Sequence, residues 1–150
     1  MRNIVDIAVF APHGKLQLVV EVKRTLNPSR KWAARMRRNL LVHELLPPSP
    51  FFLLACSERL YLWKDSGLRK DAMPQYDIDM EGAWRPYRKV YEPLPTTSDY
   101  SLEIAVSSWL NRIVNSHPPE RADREVNPFL FGSGLYDAIW GGSVSLGAEL

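Results

Sequence analysis

Three charged residues interrupt two otherwise apolar β-strands near the start of this chain. Asp6 lies within the first predicted strand, residues 3–10, and Glu21 and Lys23 end the second, residues 15–23. Side chains alternate between the two faces of a strand, so Glu21 and Lys23 share a face. Carboxylates in an apolar sheet are costly unless a metal ion, a charged partner or hydrogen bonds compensate them. This placement limits both the fold and the chemistry of the chain.

The two strands are predicted to form a hairpin. Residues 11–14 read Ala-Pro-His-Gly, which favours a turn because Pro fixes φ and Gly permits positive φ. If Phe10 pairs with Lys15, Asp6 lies diagonal to Glu21 across the hairpin. Diagonal neighbours are about 7–8 Å apart, a distance that one cation held between two carboxylates can bridge.

A basic helix is predicted over residues 28–46, with Asn27 as N-cap and Pro28 as its first residue. At about 100° per residue, its apolar side chains cluster in one arc, which widens after Leu40 and predicts deeper burial of the C-terminal end. The basic side chains on the other side are Arg30, Lys31, Arg35, Arg37 and Arg38. They form either a solvated helix face or a surface that contacts nucleic-acid phosphates in a salt-sensitive, sequence-independent manner.

The order of these features resembles a known family. An Asp on one strand, Glu21-Val22-Lys23 at the end of the next and a helix after it resemble the PD-(D/E)xK nuclease superfamily, the fold of restriction endonucleases. Predicted strands at residues 51–57 and 60–65 extend the resemblance, which is nearest to the nuclease-like domains of type I restriction enzymes. It covers residues 3–65, with Val5 where the motif has Pro.

The resemblance implies a fold and an activity. The fold is α/β of the mixed α+β type: a restriction endonuclease-like mixed β-sheet flanked by helices. It is truncated at the N-terminus, because the superfamily core has a helix, often with another acid, and a strand before the Asp strand. The activity is Mg²⁺-dependent hydrolysis of phosphodiesters, in DNA rather than RNA. The alternative is a nuclease-like module without catalysis that serves in nucleic-acid binding or assembly.

The resemblance also assigns roles to the charged residues. Asp6, Glu21 and the carbonyl of Val22 would bind Mg²⁺ or Mn²⁺, since hard cations prefer oxygen ligands. Lys23 would position the attacking water and stabilise the developing oxyanion. The alternative for these residues is a partly buried ion pair of Lys23 with either carboxylate, without catalytic meaning.

The rest of the chain is predicted to complete a single domain of 150 residues. Residues 3–65 form its nuclease-like core and residues 66–150 an extension. Helices are predicted near residues 100–116 and 134–140, a polar connection at 120–125, and frayed structure in the final residues.

The edge and face beside the Asp6 strand need a cover, because an exposed apolar strand edge invites association. The apolar helical stripe from Leu102 to Ile113, or a second copy of the chain, is expected to supply it. A homodimer is the preferred form, since a symmetric partner can shield an edge.

Composition indicates a soluble cytoplasmic protein. No uncharged apolar run approaches the ~18 residues of a membrane span. The net charge is only +2, so any binding of nucleic acid depends on the uneven distribution of basic residues. Cys56 is the one cysteine and is predicted to be an inert packed thiol, and His43 is predicted to be a hydrogen-bonded core residue.

Overall fold

A six-stranded mixed β-sheet with the strand order β5-β4-β3-β2-β1-β6 organises the molecule. The computed structural model describes residues 4–25, 27–84, 98–117 and 128–150. The strands are β1 (Ile4–Phe10), β2 (Leu16–Val22), β3 (Phe51–Ala55), β4 (Arg59–Lys64), β5 (Tyr76–Asp79) and β6 (Ser143–Glu149). The helices are α1 (Arg30–Val42), α2 (Met80–Trp84), α3 (Asp99–Val114) and α4 (Leu135–Ile139), with a π-helical turn at Pro128–Gly132. The predicted α+β class is confirmed.

Strand pairing is mixed, because β2 and β3 are parallel and every other neighbouring pair in the sheet is antiparallel. Helix α1 connects the two parallel strands, which gives the predicted strand–helix–strand unit. The predicted hairpin register was wrong, since Phe10 pairs with Leu16 and not with Lys15. The cause is the turn, in which the Ala11 N–H donates to the Lys15 carbonyl at 2.9 Å. The register shifts once more between Val9 and Phe10, so that Ile7 pairs with Val20. Continued by one residue, this register places Asp6 level with Glu21 and not diagonal to it.

Each face of the sheet carries its own apolar core, because strand side chains alternate. The α1 face includes Ala33 and Leu41 of the helix, packed with Phe52 and Trp63. The opposite face, called here the α3 face, is covered by α3, the π-helical turn and α4, and holds Leu18, Val20, Leu53, Leu102, Val106, Trp109, Leu110 and Ile139. The central strands are therefore buried on both sides, as expected for strands around a parallel pair.

Helix α1 is shorter than the sequence predicted at both of its ends. Ser29, not Asn27, is the N-cap, and its hydroxyl accepts the N–H of Trp32 at 3.1 Å. Asn27 adopts φ 55°, which places it outside the helix. The helix ends at Val42, and deeper burial beyond Leu40 is also wrong, because Val42 is 49% exposed.

The C-terminal half covers β1. Helix α3 begins with a capping box between Ser98 and Ser101, and it packs against β6, β1 and β2. The final residues are not frayed, since β6 pairs with β1 from Phe10–Ser143 to Ile4–Glu149. The predicted cover by the C-terminal half is confirmed: the Leu102–Ile113 stripe covers the face of the sheet, whereas β6 and not the stripe covers the edge of β1.

A homodimer was preferred because a second copy could shield the edge of β1, and β6 of the same chain now occupies that edge. The oligomeric state itself stays a prediction. The predicted helices near residues 100–116 and 134–140 correspond to α3 and α4. The predicted polar connection at 120–125 lies outside the described residues. Within the described residues, no helix is long and apolar enough to cross a bilayer.

Candidate functional site

Asp6 lies where the β1–β2 ladder ends. The last residues of these strands to pair are Ile7 and Val20. Beyond them, the N–H of Val22 donates to the Asp6 carboxylate at 2.8 Å. The side chain of Asp6 thus replaces a main-chain acceptor of the ladder, which holds this half-buried carboxylate at the edge between the strands.

Glu21 contacts Asp6 at this point. Burial, the neighbouring charge of Asp6 and a hydrogen bond to the Asp6 side chain raise the pKa of Glu21 to about 8. Two carboxylates in contact resist simultaneous ionisation, so the pair holds a proton near neutral pH. A cation between them would relieve the same repulsion.

Glu103 is a third acid near this pair, and it comes from α3. Its pKa is raised by burial and by the charge of Asp6, and its own charge contributes to the raised pKa of Glu21. The start of α3 is fixed here because the Asp99 carboxylate accepts the N–H of Arg24 at 3.0 Å. Sequence reasoning missed Glu103, since it looked like one polar residue beside an apolar helical stripe.

Lys23 and Val22 complete the predicted motif. Lys23 is exposed directly after β2, and its N–H donates to the Ala55 carbonyl at 2.9 Å, toward β3. The N–H groups of successive strand residues point to opposite sides, so the N–H of Val22 points away from β3 and toward Asp6, to which it donates. Within the described residues, no salt bridge joins Lys23 to Asp6 or Glu21. Asp6 and Glu21 are brought together, Lys23 is exposed after β2, and the ion-pair alternative gains no support.

The basic helix divides into two sets of side chains. Lys31, Arg35 and Arg38 are exposed, at positions i, i+4 and i+7 of one outer stripe. Arg30 is exposed as a residue, and its guanidinium donates to the Pro74 carbonyl at 2.6 Å.

Arg37 corrects the prediction that all five basic side chains lie on the outer side of the helix. Only 2% of it is exposed, and its guanidinium donates to the carbonyls of Gly67 and Arg69 and lies over the ring of Trp63. Arg37 lies on the flank of α1 that faces the loop after β4. Backbone carbonyls of that loop accept the hydrogen bonds that water would otherwise accept. Arg37 cannot contact a phosphate directly.

No family model, curated protein or solved structure matches the chain.

The donor atoms of the site fit a weakly held Mg²⁺ ion. In the part of the chain that the structure describes, no three Asp, Glu, His or Cys side chains form a ready-made metal-binding group. Mg²⁺ nevertheless often uses one or two carboxylates and keeps several waters. Asp6 and Glu21 supply two carboxylates whose mutual repulsion favours a cation, and Val22 has its main chain on the same side.

Two other reactive side chains lie apart from this site. Cys56 is fully buried, which confirms that it is a packed thiol, and burial raises the pKa of that thiol to about 12, which disfavours the reactive thiolate. His43 was predicted to lie in the core, and this is wrong. It is the exposed C-cap residue of α1, because the helix ends before the chain turns inward.

Proposed function

We propose that the protein is a Mg²⁺-dependent nuclease of the PD-(D/E)xK type that hydrolyses phosphodiester bonds, in DNA rather than RNA. The observation that carries the proposal is the contact of Asp6 with Glu21 at the end of the β1–β2 ladder, with Lys23 directly after β2. A structural core would gain stability by replacing such a pair with apolar residues.

The arrangement of the whole elements supports the same proposal. The superfamily resemblance calls for a helix and a strand beside the Asp strand. Here α3 and β6 pack against β1, although both follow the motif in the chain. Helix α3 also brings Glu103 near the pair, where the resemblance expects another acid.

Each residue has a distinct task in this proposal. Asp6, oriented by the N–H of Val22, and Glu21 would hold the cation, and the proton that they share would be released to solvent when it binds. When bound, Mg²⁺ supplies a water of lowered pKa and neutralises charge on the scissile phosphate. Lys23, exposed beside the pair, binds a phosphate oxygen and stabilises the oxyanion as it develops. Glu103 adds negative charge that favours retention of the cation.

Metal binding and cleavage test the proposal together. Calorimetry with Mg²⁺ or Mn²⁺ at millimolar concentration should give heat for the wild type and none for Asp6→Asn or Glu21→Gln. Cleavage of labelled DNA should fall about 100-fold or more in both variants and by a similar factor in Lys23→Ala. Glu44→Gln is the matched control, because Glu44 is exposed just beyond the other end of α1. No heat and no cleavage in the wild type would remove the catalytic proposal.

The alternative is a nuclease-like module that binds nucleic acid or takes part in assembly without cleaving. One observation favours it: the Asp6 carboxylate already accepts the Val22 N–H, which leaves fewer lone pairs for a metal ion. This alternative predicts that DNA binds the wild type and both carboxylate variants equally. It also predicts that no ion supports cleavage of DNA or RNA.

A further inference from the structure

The loop that follows β4 lies along one flank of α1. At the C-terminal part of the helix, Arg37 donates to the carbonyl of Gly67 at 3.1 Å and to that of Arg69. At the helix start, Arg30 donates to the carbonyl of Pro74. The loop therefore runs antiparallel to α1 over the length that carries the basic residues.

This loop is held in place by a buried cation. Arg37 is paired with main-chain carbonyls, and its Nε has no hydrogen-bond partner among the described residues. Burial and the nearby charge of Arg69 lower the pKa of Arg37. The two carbonyls and the Trp63 ring replace water around this guanidinium, but no carboxylate of the described residues neutralises its charge. The surface beside it therefore favours anions.

The exposed basic side chains of α1 lie next to this flank. A helix turns about 100° per residue, so Lys31 follows Arg30, and Arg38 follows Arg37, by that angle around the axis. Arg69 is exposed in the loop, and its carbonyl is the one that accepts the Arg37 guanidinium.

The charges of this region are predominantly positive. Lys70 is exposed next to Arg69. Helix α1 contains five basic residues and no acid. The acids around it are Glu44, Asp65 and Asp71, which are exposed at the helix end and in the loop.

We propose that α1 and the loop at residues 66–72 form one surface that binds the phosphate backbone of a nucleic acid. Arg69 and Lys70 are additional phosphate contacts, beside Lys31, Arg35 and Arg38. Arg37 is a positioning residue that fixes the loop against the helix. That the partner is a nucleic acid rests on the proposed function. That the loop and the helix form one basic surface does not.

Binding without metal separates this inference from catalysis. Fluorescence anisotropy with a labelled DNA duplex and EDTA should show affinity that falls with salt. The double variant Arg69→Ala/Lys70→Ala should weaken binding on every sequence. It should also reduce the salt slope by about one for each lost contact. Lys15→Ala is the matched control, because Lys15 is exposed in the β1–β2 turn, and β3 separates that hairpin from β4 and its loop.

Arg37→Met tests the positioning role. Arg37 itself contacts no phosphate in this proposal. We expect Arg37→Met to reduce the salt slope as much as the double variant does, and the triple variant to reduce it no further. That result would show that Arg37 acts through the position of the loop. Hydrogen exchange should rise at residues 66–72. If Arg37→Met does not fold, the surface variant Arg69→Ala/Lys70→Ala still decides the inference.

Several outcomes would overturn the inference. A double variant that binds DNA like the wild type means that the loop only faces solvent. Wild type that binds no DNA or RNA but binds anionic vesicles or an acidic peptide assigns the surface to another partner. Cleavage that persists with unchanged binding in the double variant rejects the inference but keeps the nuclease. Weakened binding without any cleavage rejects the nuclease but keeps the surface.

Discussion

The raised pKa of Glu21 makes the stability of the folded chain depend on pH. Glu21 has a pKa of about 8 in the folded chain, against 4.5 as an ordinary side chain. Below pH 4.5 it is protonated in both the folded and the unfolded states. Between pH 4.5 and 8 only the unfolded chain releases this proton, so the free energy of unfolding falls as the pH rises through that window.

Glu21→Gln should remove the loss of stability between pH 4.5 and 8, because the glutamine side chain has no proton to release in this range. At pH 8 the variant should be more stable than the wild type by about 2–4 kcal/mol, and near pH 4.5 the two should be equal. Thermal melts across the pH range measure the difference, with Glu44→Gln as the control. A difference that does not grow with pH would show that Glu21 is solvated and ionised. If the proposed metal site exists, Mg²⁺ should stabilise the wild type at pH 8 and leave the variant unchanged.

Part of the candidate site could be predicted from the sequence. Alternation along β1 and β2 was enough to bring Asp6 and Glu21 together, even though the assumed register was wrong by one residue at Phe10 and by two residues at Ile7. Glu103 could not be found in this way, because its place depends on the packing of α3 against distant strands. The burial of Arg37 was equally hidden, since helical periodicity does not reveal that a loop covers one flank.

Among the secondary-structure elements, β6 differs most from what the sequence predicted. Its residues, Ser143–Glu149, lack a run of large apolar side chains and include Gly147 at φ 56°. Local pattern therefore gives little signal, and the strand exists because β1 offers it a pairing edge. By contrast, β1, β2, β3 and β4 are rich in apolar residues, and α3 has a clear apolar stripe, so all five were predicted close to their observed positions.

Gly142 is the position on which the start of β6 depends. A Cβ atom there would lie 1.8 Å from the Phe10 carbonyl oxygen, so a side chain would push β6 away from β1. We expect Gly142→Ala to destabilise the protein by about 3 kcal/mol or more and to lower the melting temperature by many degrees. Gly82→Ala is the control, because nothing lies within 4 Å of a Cβ at that position. Equal melting temperatures for the two variants would contradict the close approach of these strands.

In the molecule as a whole, the two halves of the chain are interdependent. The first strand is completed by the last, and the acid of α3 lies near the carboxylates of the N-terminal hairpin. The predicted division into a core at residues 3–65 and an extension at 66–150 understates this dependence. One sheet contains strands from both parts, and one core contains side chains from both.

A chain without residues 143–150 should leave the edge of β1 unpaired. We expect the full chain to be a monomer of 17.2 kDa in light scattering, with slow hydrogen exchange throughout β1. The shortened chain should lose that protection and associate, because a free apolar edge pairs with other chains. Removal of Leu150 alone is the control. A full chain that dimerises and whose β1 exchanges faster on dilution would restore the homodimer.

The pairing of Ile4 with Glu149 has a consequence for synthesis on the ribosome. The strand that carries Asp6 emerges well before its neighbour β6, because the other five strands and all the helices described above lie at or before residue 139. Until then β1 can pair only with β2, and contacts between such distant segments form slowly. The carboxylate pair therefore reaches its final surroundings only when translation has passed β6. An interrupted chain would present an incomplete sheet to chaperones and proteases, and not a working site.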